Sequence, residues 1–232
     1  MKKSVLSLCV LAGLGLASTE ALAHKGGDWL IRGRIINIKP DASSSAIANS
    51  TAGAFPVADS RVGVNDAWTL DIDITKMISD NFGVELLLDP STKHDLTGKN
   101  AIAGFNTIGE TTVLPPALIA QYHFSPRSQI QPYVGLGLNY TLFFKSKLTN
   151  AALAGALGGV GKLEIDNKAG WVAQAGADYD MGNGWFVNAD VKYIGLKTTA
   201  SFTYGAGLAS KASVDVDINP WVYGIGIGKR FQ

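Results

Sequence analysis

The sequence predicts an all-β fold, an eight-stranded antiparallel transmembrane β-barrel with long extracellular loops and short periplasmic turns. Three observations lead there. The last stretch, Ile218 to Gln232, alternates in an inverted sense. Trp221, Tyr223, Ile225, Ile227 and Phe231 (with Lys229 among them) share one face, and Val222, Gly224, Gly226, Gly228 and Arg230 share the other. A soluble strand hides its bulk and shows its charge; bulky groups facing outward fit lipid, and small or polar ones facing inward fit a narrow lumen. Seven further segments alternate at period two, the signature of half-buried strands. The connections alternate between short and long, as they do in outer-membrane barrels. A strand in lipid cannot leave its backbone unpaired, because each orphan N–H or C=O costs several kcal/mol there. The last strand is therefore expected to pair with the first and close the barrel.

Residues 1–23 read as a cleaved signal peptide, which leaves 24–232 as the barrel. Lys2 and Lys3 open the leader, Val5 to Ala17 is mostly apolar, and Ala21-Leu22-Ala23 is an A-x-A cleavage site before His24. No run approaches the ~20 apolar residues of a membrane helix. Cys9, the only cysteine, lies in the leader. Leu8 precedes it where a lipoprotein needs a small residue, and cleavage removes all thiol chemistry. Removing Lys2, Lys3 and Glu20 from the 20 basic and 19 acidic residues leaves 18 of each. A neutral mature chain argues against nucleic acid as a partner.

The first strand is expected over Asp28–Lys39, with Trp29, Ile31 and Ile35 opposite Arg32 and Arg34. Ala67–Met77 sets Trp68, Leu70, Ile72 and Ile74 against Thr69, Asp71, Asp73 and Thr75. Phe82–Asp89 sets Phe82, Val84, Leu86 and Leu88 against Glu85 and Leu87. Leu114–Phe124 sets Leu118, Ala120, Tyr122 and Phe124 against Ala117, Ile119, Gln121 and His123. Pro132–Lys145 turns Val134, Leu136 and Leu138 away from Gly135, Gly137 and Phe143. Ala169–Asp180 turns Trp171 and Tyr179 away from Val172, Gln174 and Asp178. Trp185–Leu196 turns Val187, Val191 and Tyr193 away from Asn188, Asp190 and Lys192. Val214–Phe231 completes the set, with Pro220 marking a bulge or the end of its lipid-level part. The turns at 79–81, 125–128 and 181–184 are short; the loops near 40–66, 90–113, 146–168 and 197–213 are long. A lipocalin-type barrel, the soluble alternative, needs the bulky face inside.

Eight strands enclose a lumen that side chains fill, or that holds one small ligand. Arg32, Arg34, Asp71, Asp73, Glu85, Asp178, Asp190, Lys192 and Arg230 point inward from mid-barrel to the periplasmic end, and are expected to pair into a polar plug. Leu87, Ala117, Ile119, Phe143 and Val172 point inward above them and are expected to line an apolar cup. Such a cup would accept a small hydrophobic solute; a packed upper core without a guest is the other reading. Ala54 to Val57, Ile102 with Phe105 and Ile108, and Leu148 through Val160 are apolar loop segments that either funnel solutes or pack on one another. Pro115 and Pro116 open the fourth strand without a donor between them. They mark either a strand start at the rim or a lateral gate through the wall.

Four motifs carry a resemblance: Asn81-Phe82-Gly83-Val84-Glu85-Leu86-Leu87, the stretch Leu114-Pro115-Pro116 through Tyr122, Pro132-Tyr133-Val134-Gly135 through Thr141, and Asn219-Pro220-Trp221-Val222. Together they resemble the OmpW/AlkL family over essentially the whole mature chain. The resemblance implies an eight-stranded outer-membrane barrel whose hydrophobic channel passes small hydrophobic molecules laterally into the bilayer lipid. Such barrels meet the assembly machinery through a C-terminal strand that ends on an aromatic; here Gln232 follows Phe231. The alternative is a structural or adhesive barrel acting through its loops.

Catalysis finds little footing. His24, His94 and His123 have no Ser and carboxylate at readable spacing, and no metal-ligand spacing or cofactor motif appears. Gly158-Gly159-Val160-Gly161-Lys162 lacks the first glycine and the Ser or Thr of a phosphate loop.

Overall fold

The computed structural model describes residues 24–49, 59–124 and 128–232. The leader, the apolar segment 54–57 and turn residues 125–127 lie outside them. Eight strands form the wall: β1 (Trp29–Lys39), β2 (Ala67–Met77), β3 (Phe82–Leu87), β4 (Ala117–His123), β5 (Ile130–Leu148), β6 (Lys168–Gly182), β7 (Trp185–Gly195) and β8 (Trp221–Phe231). Each pairs antiparallel with its chain neighbours. β8 returns to β1 from Trp29↔Phe231 to Lys39↔Trp221. The barrel is closed, and the edge that lipid forbids does not exist.

Side-chain alternation follows the sequence pattern. Ile35, Leu70, Leu118, Leu138 and Ile225 are exposed on the outer wall, while Arg32, Asp73, Glu85 and Val172 are buried inside. All five tryptophans are exposed and sort to two levels. Trp29 and Trp185 lie at the end of the short turns; Trp68, Trp171 and Trp221 lie at the end of the long loops. Amphipathic rings at both edges of an apolar band form the two girdles of a membrane barrel. Inside, the glycine face of β8 makes room for one side chain. A Cβ at Gly226 would meet Arg34 Cα and Cγ at 2.6 and 2.8 Å. Glycine there lets Arg34 cross the lumen.

Three expected strands end differently. The segment expected as Val214–Phe231 is two strands in separate sheets. Asn219, at φ 38°, and Pro220 break it, and Asn219 Oδ1 accepts the Leu196 amide at 3.1 Å. The fourth strand begins at Ala117 rather than Leu114, because the two prolines separate it from an outer strand, Thr107–Leu114. The third stops at Leu87, though the Leu88 amide still donates to Ile72 O at 2.9 Å.

The long loops are built into two outer sheets. Upper β5, Thr107–Leu114, Thr92–Asn100 and Ser60–Val64 extend the barrel wall in that order. Val160–Ile165, Lys197–Tyr204, Ser210–Asp217 and Ser43–Ser44 form a second sheet. A short helix, Ala151–Ala156, is capped by the Asn150 side chain. Ile102, Leu153, Leu163, Phe202 and Val214 are buried together between these layers. Of the two readings for the apolar loop segments, packing on one another describes Ile102, Phe105, Ile108 and Leu148.

Single cysteines report the orientation, since residues 24–232 contain none of their own. Lys99→Cys and Ala151→Cys, exposed on the loops, should react with an impermeant maleimide on intact cells. Asp80→Cys, exposed in a short turn, should react only after lysis. Labelling of Asp80→Cys from outside would invert the topology.

Candidate functional site

Mid-lumen, one arginine on each of two inward steps of β1 draws the surrounding strands together. Arg32 donates from Nη2 to Asp178 Oδ2 at 2.8 Å, and from Nη1 to Asp73 Oδ1 at 3.0 Å and Thr75 Oγ1 at 2.8 Å. Arg34 donates to Asp73 Oδ2 at 2.5 Å, Asp71 at 3.0 Å and Asp190 Oδ2 at 2.8 Å. Lys192 Nζ donates to Asp190 Oδ2 at 2.5 Å and reaches Asp71 at 3.4 Å. Glu85 lies 3.7 Å from Arg32 and takes most of its hydrogen bonding from amides, with Gln121 Nε2 at 2.6 Å and Gln174 Nε2 at 3.3 Å. Every one of these groups is buried. The guanidinium of Arg32 also sits 5.3 Å from the Tyr133 ring and 5.4 Å from Phe186. Fixed forks and bidentate carboxylates suit arginine here better than a lysine point charge.

Arg230 is placed elsewhere. It lies near the turn end, 3.9 Å from Asp28, outside the mid-lumen cluster. The cluster instead includes Gln121, Gln174, Asn188 and Tyr133, with Asn188 Nδ2 donating to Tyr133 Oη at 3.0 Å. Their inward parity was readable in the sequence; their role as links between carboxylates depends on which strands face across the lumen.

Above this layer the lumen turns apolar and contains a cavity of about 120 Å³. Asp71, Asp89 and Lys192 edge its floor; Leu87, Phe143, Ile194, Leu196 and Val222 are on its walls, and Leu96, Leu153, Phe202 and Val214 come from the loops. Two of the five residues expected to line the cup, Leu87 and Phe143, reach it. Ala117, Ile119 and Val172 do not; they pack in the layer beneath, with Ile36. The reason is the glycine face of β5: a Cβ at Gly135 would lie 2.7 Å from Ile119 Cγ2, so Ile119 already fills the space across from it. His94 also edges the cavity, its Nδ1 donating to Asn65 O at 3.2 Å. Burial pushes its imidazole below the ordinary value, which keeps it neutral against the apolar wall.

The wall changes partners at the level of this cavity. β3 and β4 are laddered up to Leu87↔Ala117, and pairing resumes at Thr92↔Val113 on the outer strands. Residues 88–91 face 114–116 with no ladder between them. Pro90, Pro115 and Pro116 all fall in that interval, and Pro115 lines the cavity.

The comparisons with known proteins agree with this architecture. The model of the OmpW family matches residues 25–231. The chain belongs to the OmpW family. Outer membrane protein W of Vibrio cholerae is 36% identical over the full length of both chains. Among solved structures, OprG from Pseudomonas aeruginosa is similar at a TM-score of 0.80 and 33% identity, covering 90% of this chain and 98% of its own. AlkL, solved in DMPC lipid bilayers, is similar at 0.67 and 25% identity, covering 96% and 97%. Barrels of the OmpW family sit in the lipid of the outer membrane. The closed eight-stranded wall is thus a fold that this chain shares with its solved relatives.

The arginines offer a direct test of the mid-lumen layer. Arg34→Ala strands Asp71, Asp73 and Asp190 without their shared partner, and breaking a buried pair costs about 3–5 kcal/mol. Melting in detergent, followed by heat-modifiable gel mobility, should fall well below the parent. Lys162→Ala, which removes an exposed pair with Glu164, should melt as the parent does. Equal melting of the two variants would mean that the arginine is solvated.

Proposed function

We propose that this barrel passes small hydrophobic molecules from the medium into its apolar upper lumen and from there sideways into the bilayer, after export and removal of residues 1–23. The observation that carries the reading is the largely apolar cavity whose floor is edged by the ion-paired Asp71 and Lys192. Arg32, Arg34, Asp71, Asp73, Glu85, Asp178, Asp190 and Lys192 act as a polar plug, so a guest in the cavity has no straight way down. A low conductance in planar bilayers is the expected electrical signature. Leu87 and Phe143 line the chamber, and the unladdered interval beside Pro115 and Pro116 is the exit. An apolar guest gains roughly 0.8 kcal/mol per buried methylene in the cavity or in the bilayer. The step between them is therefore close to level, and the width of the opening sets its rate. Family membership and the likeness to AlkL support the reading.

Uptake of an apolar, environment-sensitive dye into barrel-containing vesicles separates chamber from exit. Val222→Trp places an indole in the cavity and should slow uptake about tenfold at equal barrel content. Pro115→Ala with Pro116→Ala restores two donors and should slow it more modestly while melting as well as the parent. If the filled variant transports like the parent, the chamber is not on the route, and a barrel acting through its loop sheets becomes the reading. If only the proline variant is unaffected, the exit lies elsewhere in the wall.

A further inference from the structure

We infer that His24, His123 and Asp178 form a site for one divalent transition-metal ion of the zinc(II) or copper(II) kind. His24 precedes β1, His123 ends β4, and Asp178 lies toward the turn end of β6, so the site closes the bottom of the lumen far from the apolar cavity. One donor atom from each residue falls within 4.8 Å of the others. The imidazole centroids are 5.2 Å apart and edge-on, and His24 Nε2 is 3.4 Å from Asp178 Oδ2. Tetrahedral ligation at ~2.1 Å sets donors roughly 3.4 Å apart, so a small contraction completes the geometry. The residues are distant in sequence, and no ligand spacing announces them; only closure of the barrel brings them together.

The hydrogen bonds around His123 fix which nitrogen is free. Gln121 Nε2 donates to Glu85 Oε2 at 2.6 Å and Gln174 Oε1 at 3.0 Å, which identifies Gln121 Oε1 as the acceptor end of that amide. His123 Nε2, 3.1 Å from Gln121 Oε1, must then carry the proton. The other nitrogen, Nδ1, is a bare lone pair. It is buried, and among the described residues it has no hydrogen-bond partner, nor has either nitrogen of His24. A buried polar atom left unpaired costs about 1–3 kcal/mol, and here three cluster in one place. A metal-bound imidazole is usually held by an oxygen acceptor on its far N–H, and here the side-chain carbonyl of Gln121 supplies that oxygen.

Charge points the same way. Arg32, Arg34 and Lys192 face Asp71, Asp73, Glu85, Asp178 and Asp190, a formal excess of two negative charges in one buried network. A dication beside Asp178 removes that excess. Asp178 accepts twice from Arg32 and once from Asn188 Nδ2 at 2.7 Å; a carboxylate has about four lone-pair sites, and the remaining one serves the ion. Two nitrogen donors select zinc or copper over magnesium or calcium, which prefer all-oxygen sites. Gln131, Asp180, Phe186 and Arg230 surround His24 and Asp178 at this end of the lumen. Expected cleavage after Ala23 adds the α-amino group of His24 as a further donor. The ion would pin the first residue of the barrel to β4 and β6.

The test uses untagged barrel in detergent, stripped of metal and titrated with zinc chloride by calorimetry. One saturable site per barrel is expected. His24→Ala and His123→Ala should each weaken it at least tenfold, Gln121→Leu should weaken it about 10–100-fold, and His94→Ala, the third histidine, should leave it unchanged. Copper(II) bound to the parent should show couplings to two imidazole nitrogens by electron paramagnetic resonance, and this needs no variant to fold. The absence of a saturable site, or of nitrogen couplings, overturns the inference and leaves two imidazoles that hold water or a proton. Equal binding by the parent and His24→Ala overturns it as well.

Discussion

Everything in this molecule depends on the rule that a backbone in lipid must bond within itself. The rule forces eight short strands into a closed ring, and closure at this strand number leaves a lumen no wider than two facing side chains. Every inward residue therefore meets another across the axis. A charge placed there has no water to fall back on, so it needs a partner on a strand that is remote in sequence. Arg32 on β1 finds Asp178 on β6, and Arg34 finds Asp190 on β7. Such pairs add little net stability over an apolar filling, yet removing one member is costly, so they fix register. A shift of β1 by one residue would turn both arginines into lipid.

The paired layer also divides the lumen into two compartments with opposite chemistry. Below it, polar groups such as His24, His123 and Gln131 continue to the turn end. Above it, Ile36, Leu87, Ile119 and Val172 pack into a dry collar, and the cavity opens over that collar. Side-chain size determines which part is filled and which is hollow. Where glycines of β5 and β8 face the axis, long side chains from the neighbouring strand occupy the space, as Ile119 and Arg34 do. Where the loop sheets roof the barrel, their apolar faces stand further apart and the space remains.

How far the sequence reveals this depends on whether a feature is local. Strand parity is local, since a period of two places Arg32, Asp73 and Lys192 inward without knowledge of any partner. The bounds of β2 follow from its alternation alone, and Pro220 announces a break because a missing donor is visible in the chain. Partner identity across the lumen is not local. Nothing near Ile119 says that Gly135 will face it, so a lining position and a filled one look alike. The outer sheets are harder still: Ala200 pairs with Ile165, and Ala48 with Ser213, through contacts that only the finished barrel makes possible. The histidine pair at the turn end belongs to the same class, since residues 24 and 123 meet only because β1 and β4 close onto one ring.

The division of labour along the axis explains why a gap in the wall is tolerable where it occurs. Arg32, Arg34 and Lys192 tie β1 to β2, β6 and β7 from within, around the level at which Leu87 of β3 pairs with Asp73. The barrel is therefore braced beneath the interval 88–91 and does not depend on ladder bonds there. Above it, the outer strands Thr92–Asn100 and Thr107–Leu114 take over the pairing. Three prolines occupy the stretch between these two braces, the one height at which missing donors leave the ring intact. The described wall thus has an interval of unladdered backbone beside its apolar cavity. A ring braced only by its ladder would weaken wherever the ladder pauses.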